Sequence, residues 1–225
     1  REFDENRFVF MATEKGVVKK CSLDVFSNPY SAGIIAINLD EGDKLIGAQL
    51  TEGEHYIILV TKLGLSIRFN ESEVRSMGRT AMGVRGIRLA DADGVVGMVV
   101  ATVQVEDSRN GEDPHPPIDE NQTLLIVTEN GYGKRTALEE YRLQGRGGKG
   151  VITIKTTTRN GVVVAVKMVS DGDELIVISS NGMVTRMAVN DIRAIGRNTQ
   201  GVRLMSLHTD ETVVDVGKIT ESDEK

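Results

Sequence analysis

The segment Gln144–Gly150, reading QGRGGKG, sets two cations among four glycines. That is the chemistry of an anion-binding loop. Glycine lets backbone approach a phosphate closely, and Arg146 and Lys149 supply the charge. It is not a nucleotide P-loop, because Lys149 is followed by Gly150 rather than Ser or Thr and the glycine spacing differs. Other chemistry is sparse. His55, His115 and His208 lie far apart without metal-ligand spacing and read as surface residues. The carboxylate pairs Asp91/Asp93 and Asp171/Asp173 sit beside glycines, where acidic turn residues are common. There is no Gly-x-Ser-x-Gly elbow and no Cys/His pair. These residues point to binding, with no catalytic constellation and no metal.

The elements that carry these residues repeat four times. Each copy opens with an apolar run, a glycine turn and a second run bearing basic residues. The copies are FMATEKGVVKK from Phe10, LVTKLGLSIRF from Leu59, IVTENGYGKRT from Ile126 and VISSNGMVTRM from Val177. Alternating apolar and polar residues around Gly16, Gly64, Gly131 and Gly182 predict half-buried hairpins. A second glycine follows 17, 19, 19 and 19 residues later, at Gly33, Gly83, Gly150 and Gly201. It opens GIIAINL, GVRGIRL, GVITIKT and GVRLMSL, each alternating with period two and read as a third strand. Runs rich in β-branched residues from Lys44, Val95, Val162 and Thr212 read as a buried closing strand.

Four strands in about 48 residues, repeated, predict an all-β, propeller-like array of four blades. The expected blade ranges are 7–51, 55–102, 122–170 and 173–220 within a single domain, 1–225. The acidic, Pro-containing stretch 103–121 is read as a surface loop or linker. Helix is confined to a short turn at Ala137–Tyr141 and comparable turns after Asn70 and Asn190. Composition agrees. Glycine is abundant, at 24 residues against 4 prolines, as tight turns require. Aromatic residues are only 4%, too few for single-strand stacking platforms. Cys21 is the one cysteine, which excludes an internal disulfide and fits a reducing compartment. No apolar run is long enough for a membrane helix. The chain starts at Arg1 without an initiator Met, so a fragment of a longer protein is expected.

A net charge of −6 argues against nucleic acid until its distribution is read. Lys62–Arg88 carries six basic residues against two acidic, Gly131–Arg159 seven against two, Asn181–Arg203 four against one, and Lys15–Ile37 three against one. These stretches hold +14, leaving −20 for the rest of the chain. Each repeat therefore has a basic half and an acidic half. On blades around an axis, the basic halves form a positive band, the electrostatic footprint of a duplex backbone. With no recognition helix, contacts are expected to go to phosphates rather than bases. The residues expected to make them are Lys19, Lys20, Arg68, Arg75, Arg79, Arg85, Arg88, Lys134, Arg135, Arg142, Arg146, Lys149, Arg186, Arg193, Arg197 and Arg203.

FMATEKGVVKK, SMGRTAMGVRGIRL from Ser76, TENGYGKRTALEEY from Thr128 and IGRNTQGV from Ile195 carry a family signal. Along its whole length the chain resembles the C-terminal domain of the bacterial DNA gyrase A subunit. The resemblance implies a β-pinwheel, whose neighbouring blades exchange a strand. It also implies double-stranded DNA wrapped on a basic rim in support of ATP-dependent negative supercoiling. The family's hallmark box reads Gln, basic, Arg, Gly, Gly, Lys, Gly. Gln144, Arg146, Gly147, Gly148, Lys149 and Gly150 match, while Gly145 stands where the second basic residue would be. The family box lies in the first of about six blades, whereas this one lies in the third repeat of four. The expectation is a chain covering the last four blades, with a secondary, box-like loop.

The resemblance further implies partners in the whole enzyme: a second A subunit together with gyrase B subunits, in an A2B2 assembly. No cofactor is expected in this segment, since ATP and magnesium would serve the whole enzyme. A bacterial cytoplasmic, nucleoid-associated location is implied, with no membrane contact. No catalytic residue is expected, because the family's active-site tyrosine lies in another region. Two alternatives remain: the C-terminal domain of a topoisomerase IV subunit, which shares the pinwheel, and a propeller scaffold binding acidic proteins through the same rim.

Overall fold

The computed structural model describes residues 6–101, 118–119 and 121–219. His115 and nearly all of the expected loop 103–121 lie outside the described residues. The strands run in chain order β1 (Phe8–Thr13), β2 (Val17–Ser22), β3 (Leu45–Thr51), β4 (Tyr56–Thr61), β5 (Leu65–Asn70), β6 (Val84–Arg85), β7 (Val95–Ala101) and β8 (Thr123–Thr128). They continue with β9 (Tyr132–Ala137), β10 (Val151–Ile152), β11 (Val163–Val169), β12 (Glu174–Ser179), β13 (Val184–Ala188), β14 (Val202–Arg203) and β15 (Val213–Ile219). Each hairpin is followed by one 3-10 turn, at Leu23–Phe26, Glu71–Glu73, Leu138–Glu140 and Val189–Asp191. The turn at Leu23 has no counterpart among the turns expected from sequence, and the last begins before Asn190 rather than after it.

The blades are antiparallel sheets ordered β3-β1-β2-β6, β7-β4-β5-β10, β11-β8-β9-β14 and β15-β12-β13. The architecture is therefore an all-β pinwheel of four blades. In the first three, the outermost strand comes from the following repeat. Val17 and Val18 pair with Arg85 and Val84, Leu65 and Ser66 with Ile152 and Val151, and Tyr132 and Gly133 with Arg203 and Val202. The third element of each repeat thus serves its predecessor. It is also shorter than its alternating pattern suggests, because pairing covers only two residues. Gly150 opens one such strand at φ +78, where a Cβ would collide with the Ser66 carbonyl oxygen, so the close approach of the exchanged strand requires glycine.

The exchange stops at both ends of the arc. Ile34 and Ile35 follow the same glycine but pair with no described strand, and β13 pairs only with β12. Open space at the would-be Cβ positions of Gly33 and Gly182 marks the two vacant partners, one able to give a strand and one able to receive it. Among the described residues, the expected third strand at GIIAINL is therefore absent and the fourth blade has three strands.

Cores lie between blades, which explains why the central strands are apolar on both faces. On β4, Tyr56, Ile58 and Val60 pack with Leu124 and Ile126 of β8, while Ile57 and Leu59 pack with Phe10 and Ala12 of β1. Leu125 and Val127 then turn towards Leu175 and Val177 of the last blade. This alternation is the two-residue period of a strand used on both sides. The inner strands β3, β7, β11 and β15 converge on a cavity of about 230 Å³ lined by Gly47, Gly97, Val166 and Asp215.

Candidate nucleic-acid interface

The basic residues divide into those that hold the blades together and those that face outward. The fourth position after each hairpin glycine is always basic: Lys20, Arg68, Arg135 and Arg186. In the first three repeats it reaches the 3-10 turn of the next or the residue that ends it. Lys20 forms an ion pair with Glu71 at 3.7 Å and lies 4.8 Å from the Phe8 ring centroid. Arg68 stacks on Tyr56, and its Nη1 donates to the Leu138 carbonyl at 3.1 Å. Arg135 donates to the Ile192 carbonyl and pairs with Asp171. Arg186, in the last of the described blades, pairs with Glu174 of its own sheet.

A second clamp runs the other way. The arginine after the loop glycine donates from Nη1 to a carbonyl in the third element of the preceding repeat. Arg79 reaches Ile35 at 3.0 Å, Arg146 reaches Arg85 at 3.3 Å and Arg197 reaches Ile152 at 3.0 Å. Buried lysines reinforce the joint. Lys19 donates to the carbonyls of Ala36, at 2.7 Å, and Arg79. Lys134 donates to those of Gly196, at 2.6 Å, and Arg197. Burial, then the nearby Arg197 charge, push the Lys134 ammonium down to about 8.

These contacts divide the expected DNA-binding set by exposure. Lys19, Lys20, Lys134 and Arg135 are buried, with their hydrogen bonds and ion pairs made to groups of the protein. Arg68, Arg79 and Arg197 are half-buried clamps. Arg75, Arg85, Arg88, Arg142, Arg146, Lys149, Arg186, Arg193 and Arg203 are exposed. Of these, Arg75, Arg142 and Arg193 occupy the same place in successive repeats, two residues past the end of the short turn. Arg75, Arg85, Arg88, Arg142, Lys149 and Arg193 make no ion pair among the described residues. The first repeat has Ser27 where these arginines stand, and Lys19 and Lys20 are internal, so the positive band begins at the second repeat.

The box-like loop proves to be docked rather than open. The Gln144 N–H donates to the Arg68 carbonyl at 2.9 Å, the Arg146 N–H to Glu73 Oε2 at 2.9 Å, and the Gly147 N–H to the Gly86 carbonyl at 2.6 Å. Gly148 accepts from Arg88 and rests against Ile67. Its glycines serve close packing onto the second blade, and three of its N–H groups are already used. The cations of Arg146 and Lys149 remain on the outside. Sequence reasoning missed Lys155 and Arg159, both exposed. Arg159 lies in a crossing turn where the other repeats carry Asp43, Asp93 and Glu211, a break in the acidic pattern that was visible in the sequence. Among the described residues, no group of three His, Cys, Asp or Glu could hold a metal, and no helix is long and apolar enough to cross a membrane.

The family model described as DNA gyrase C-terminal domain, beta-propeller, matches residues 7–52, 55–102, 122–170 and 173–220. The DNA gyrase A subunit of Salmonella typhimurium is 46% identical over 221 residues, which is 98% of this chain and 23% of that protein. The chain thus spans about a quarter of the length of the curated relatives it matches. A solved structure of a DNA gyrase A C-terminal domain superposes with a TM-score of 0.80 at 26% identity, covering 96% of this chain and 67% of that one. The C-terminal domain of a DNA topoisomerase IV superposes at 0.87 with 24% identity, covering 100% of this chain and 65% of that one, a likeness of fold alone.

Proposed function

The chain belongs to the DNA gyrase C-terminal domain family, and on that premise we propose that it binds and bends duplex DNA along the outer edge of its arc. One observation carries this reading: exposed arginines recur in phase on successive repeats and lack carboxylate partners among the described residues. Unpaired cations at a regular interval along a curved surface suit a polyanion of regular charge spacing. The flat edges and short turns offer no helix for a groove, so contact goes to the phosphate backbone and tolerates any sequence.

Bending a duplex over such a surface costs on the order of 1–6 kcal/mol elastically, which several phosphate contacts must offset. Within a parent of gyrase A type, the bent duplex supports ATP-dependent negative supercoiling, with a second A subunit together with gyrase B subunits as partners. ATP and magnesium act elsewhere in that assembly. Identity to the gyrase A subunit over nearly the whole chain supports this reading over a topoisomerase IV assignment. Gel shifts with plain duplex of mixed sequence provide the test. Binding at low salt that weakens steeply as salt rises is expected. A failure to shift duplex at low salt would favour a scaffold for acidic proteins instead.

A further inference from the structure

Between the third and fourth blades, Tyr132 draws two guanidinium groups together. Arg203 lies opposite it on the exchanged strand and donates from Nη2 to the phenolic oxygen at 3.0 Å. Arg159, from the crossing turn, donates from Nε to the same oxygen at 3.4 Å. Both guanidinium carbons also lie over the ring, 5.5 and 4.9 Å from its centroid. Two like charges are thus held against one hydroxyl, and neither forms an ion pair among the described residues.

The hydrogen bonds leave donors over. A phenolic oxygen that accepts twice still has its proton to give, and neither arginine's remaining N–H groups meet a protein acceptor among the described residues. These groups border a cavity of about 310 Å³ between the blades, also lined by His208, Asp210 and Glu211. Both Glu211 oxygens are engaged, by Ser179 Oγ and by the His208 N–H at 2.9 Å. Asp210, which is exposed, and the hydrogen-bonded Glu211 are the two opposing charges in the lining. The hydrogen bonds from Arg203 and then Arg159 hold the Tyr132 hydroxyl below the usual phenol range. At the matching place the other hairpins carry Val17, Leu65 and Met183, so the arrangement belongs to the third blade alone.

We infer that Arg159, Arg203 and the Tyr132 hydroxyl form a phosphate-binding site between the third and fourth blades. Two guanidiniums offer forked donors to phosphate oxygens, and the tyrosine proton adds a third direction. Phosphate could arrive as a backbone group of the duplex or as a free phosphate, and the first source rests on the DNA-binding reading above.

The test follows the ring resonances of Tyr132 by NMR, assigned by their loss in Tyr132→Phe. One arm titrates inorganic phosphate against chloride at matched ionic strength, and the other titrates a short duplex. A saturable shift in either arm, abolished by joint Arg159→Gln and Arg203→Gln and brought to a lower midpoint by Asp210→Asn, supports the site. A response to duplex identifies the backbone as the source, together with at least tenfold weaker duplex affinity in the double variant. A response to phosphate alone assigns the site to free phosphate. Silence of Tyr132 in both arms overturns the site. Gel shifts on the same samples show separately whether DNA binding itself fails.

Discussion

Arg146 is tied twice to Glu73: its backbone N–H donates to the carboxylate at 2.9 Å and its Nε to the carbonyl at 3.0 Å. The most phosphate-like loop in the sequence is thereby fastened to the neighbouring repeat, with Lys149 exposed beside it. The two cations of the loop should therefore separate on mutation. Arg146→Ala should lower stability by about 1.5–3 kcal/mol, the range for hydrogen bonds to a charged group, and also weaken DNA binding. Lys149→Ala should weaken binding and leave stability within about 0.5 kcal/mol. Urea denaturation alongside a duplex titration checks both. Equal stability losses would contradict the docked loop.

Strand exchange makes a second prediction. Gly150→Ala places a Cβ against the Ser66 carbonyl at a positive φ, and should cost about 1–3 kcal/mol or more. Gly196→Ala has open space and no positive φ, and should be near neutral. Thermal or chemical unfolding of the pair measures the difference.

Lys134 gives stability a pH dependence of defined sign. Its folded pKa of about 8 lies below the ordinary lysine value of 10.5, so between these pH values the unfolded chain holds a proton that the folded chain has released. Stability from this group therefore rises with pH through that window and is flat below it. The unfolding free energy of the unmodified chain, relative to Lys134→Gln, should increase from about pH 7.5 to about pH 10. A relative decrease would show that the ammonium is stabilised where it lies.

An open arc predicts uneven protection of strand edges. β9 is covered by β14, whereas β13 has no outer partner among the described residues. Amides on the outer edge of β13 near Val184 should exchange with solvent faster than those at the matching Tyr132–Gly133 edge, which β14 covers. Hydrogen exchange read by mass spectrometry or NMR decides it, and equal protection would mean that β13 has gained a strand.

The repeat, the hairpin glycines and the all-β class were legible in the sequence because turn chemistry and two-residue alternation are local. Strand exchange was not legible in the residues themselves, since Val84–Arg85 reads the same whether it pairs within its own repeat or with β2 of the preceding one; only the family resemblance implied it. Charge counting misled in a specific way. Lys19 and Lys134 add to a positive band on paper, yet backbone carbonyls of the adjoining loop absorb both. Their alternation with apolar neighbours resembles a solvated face, and nothing local reveals that another loop lies over it. The Tyr132 cluster was invisible for a related reason, since Arg159 and Arg203 are 44 residues apart and meet only across the exchanged strand.

If outward arginines on successive repeats hold the duplex backbone, their loss must change the salt dependence of duplex affinity. The comparison is between the unmodified chain and a joint Arg75→Gln, Arg142→Gln, Arg193→Gln variant. Weaker binding to all sequences alike is expected, with the slope of log affinity against log salt shallower by roughly 0.9 for each phosphate no longer neutralised. Unchanged affinity and slope in that variant, with its fold intact, would contradict it.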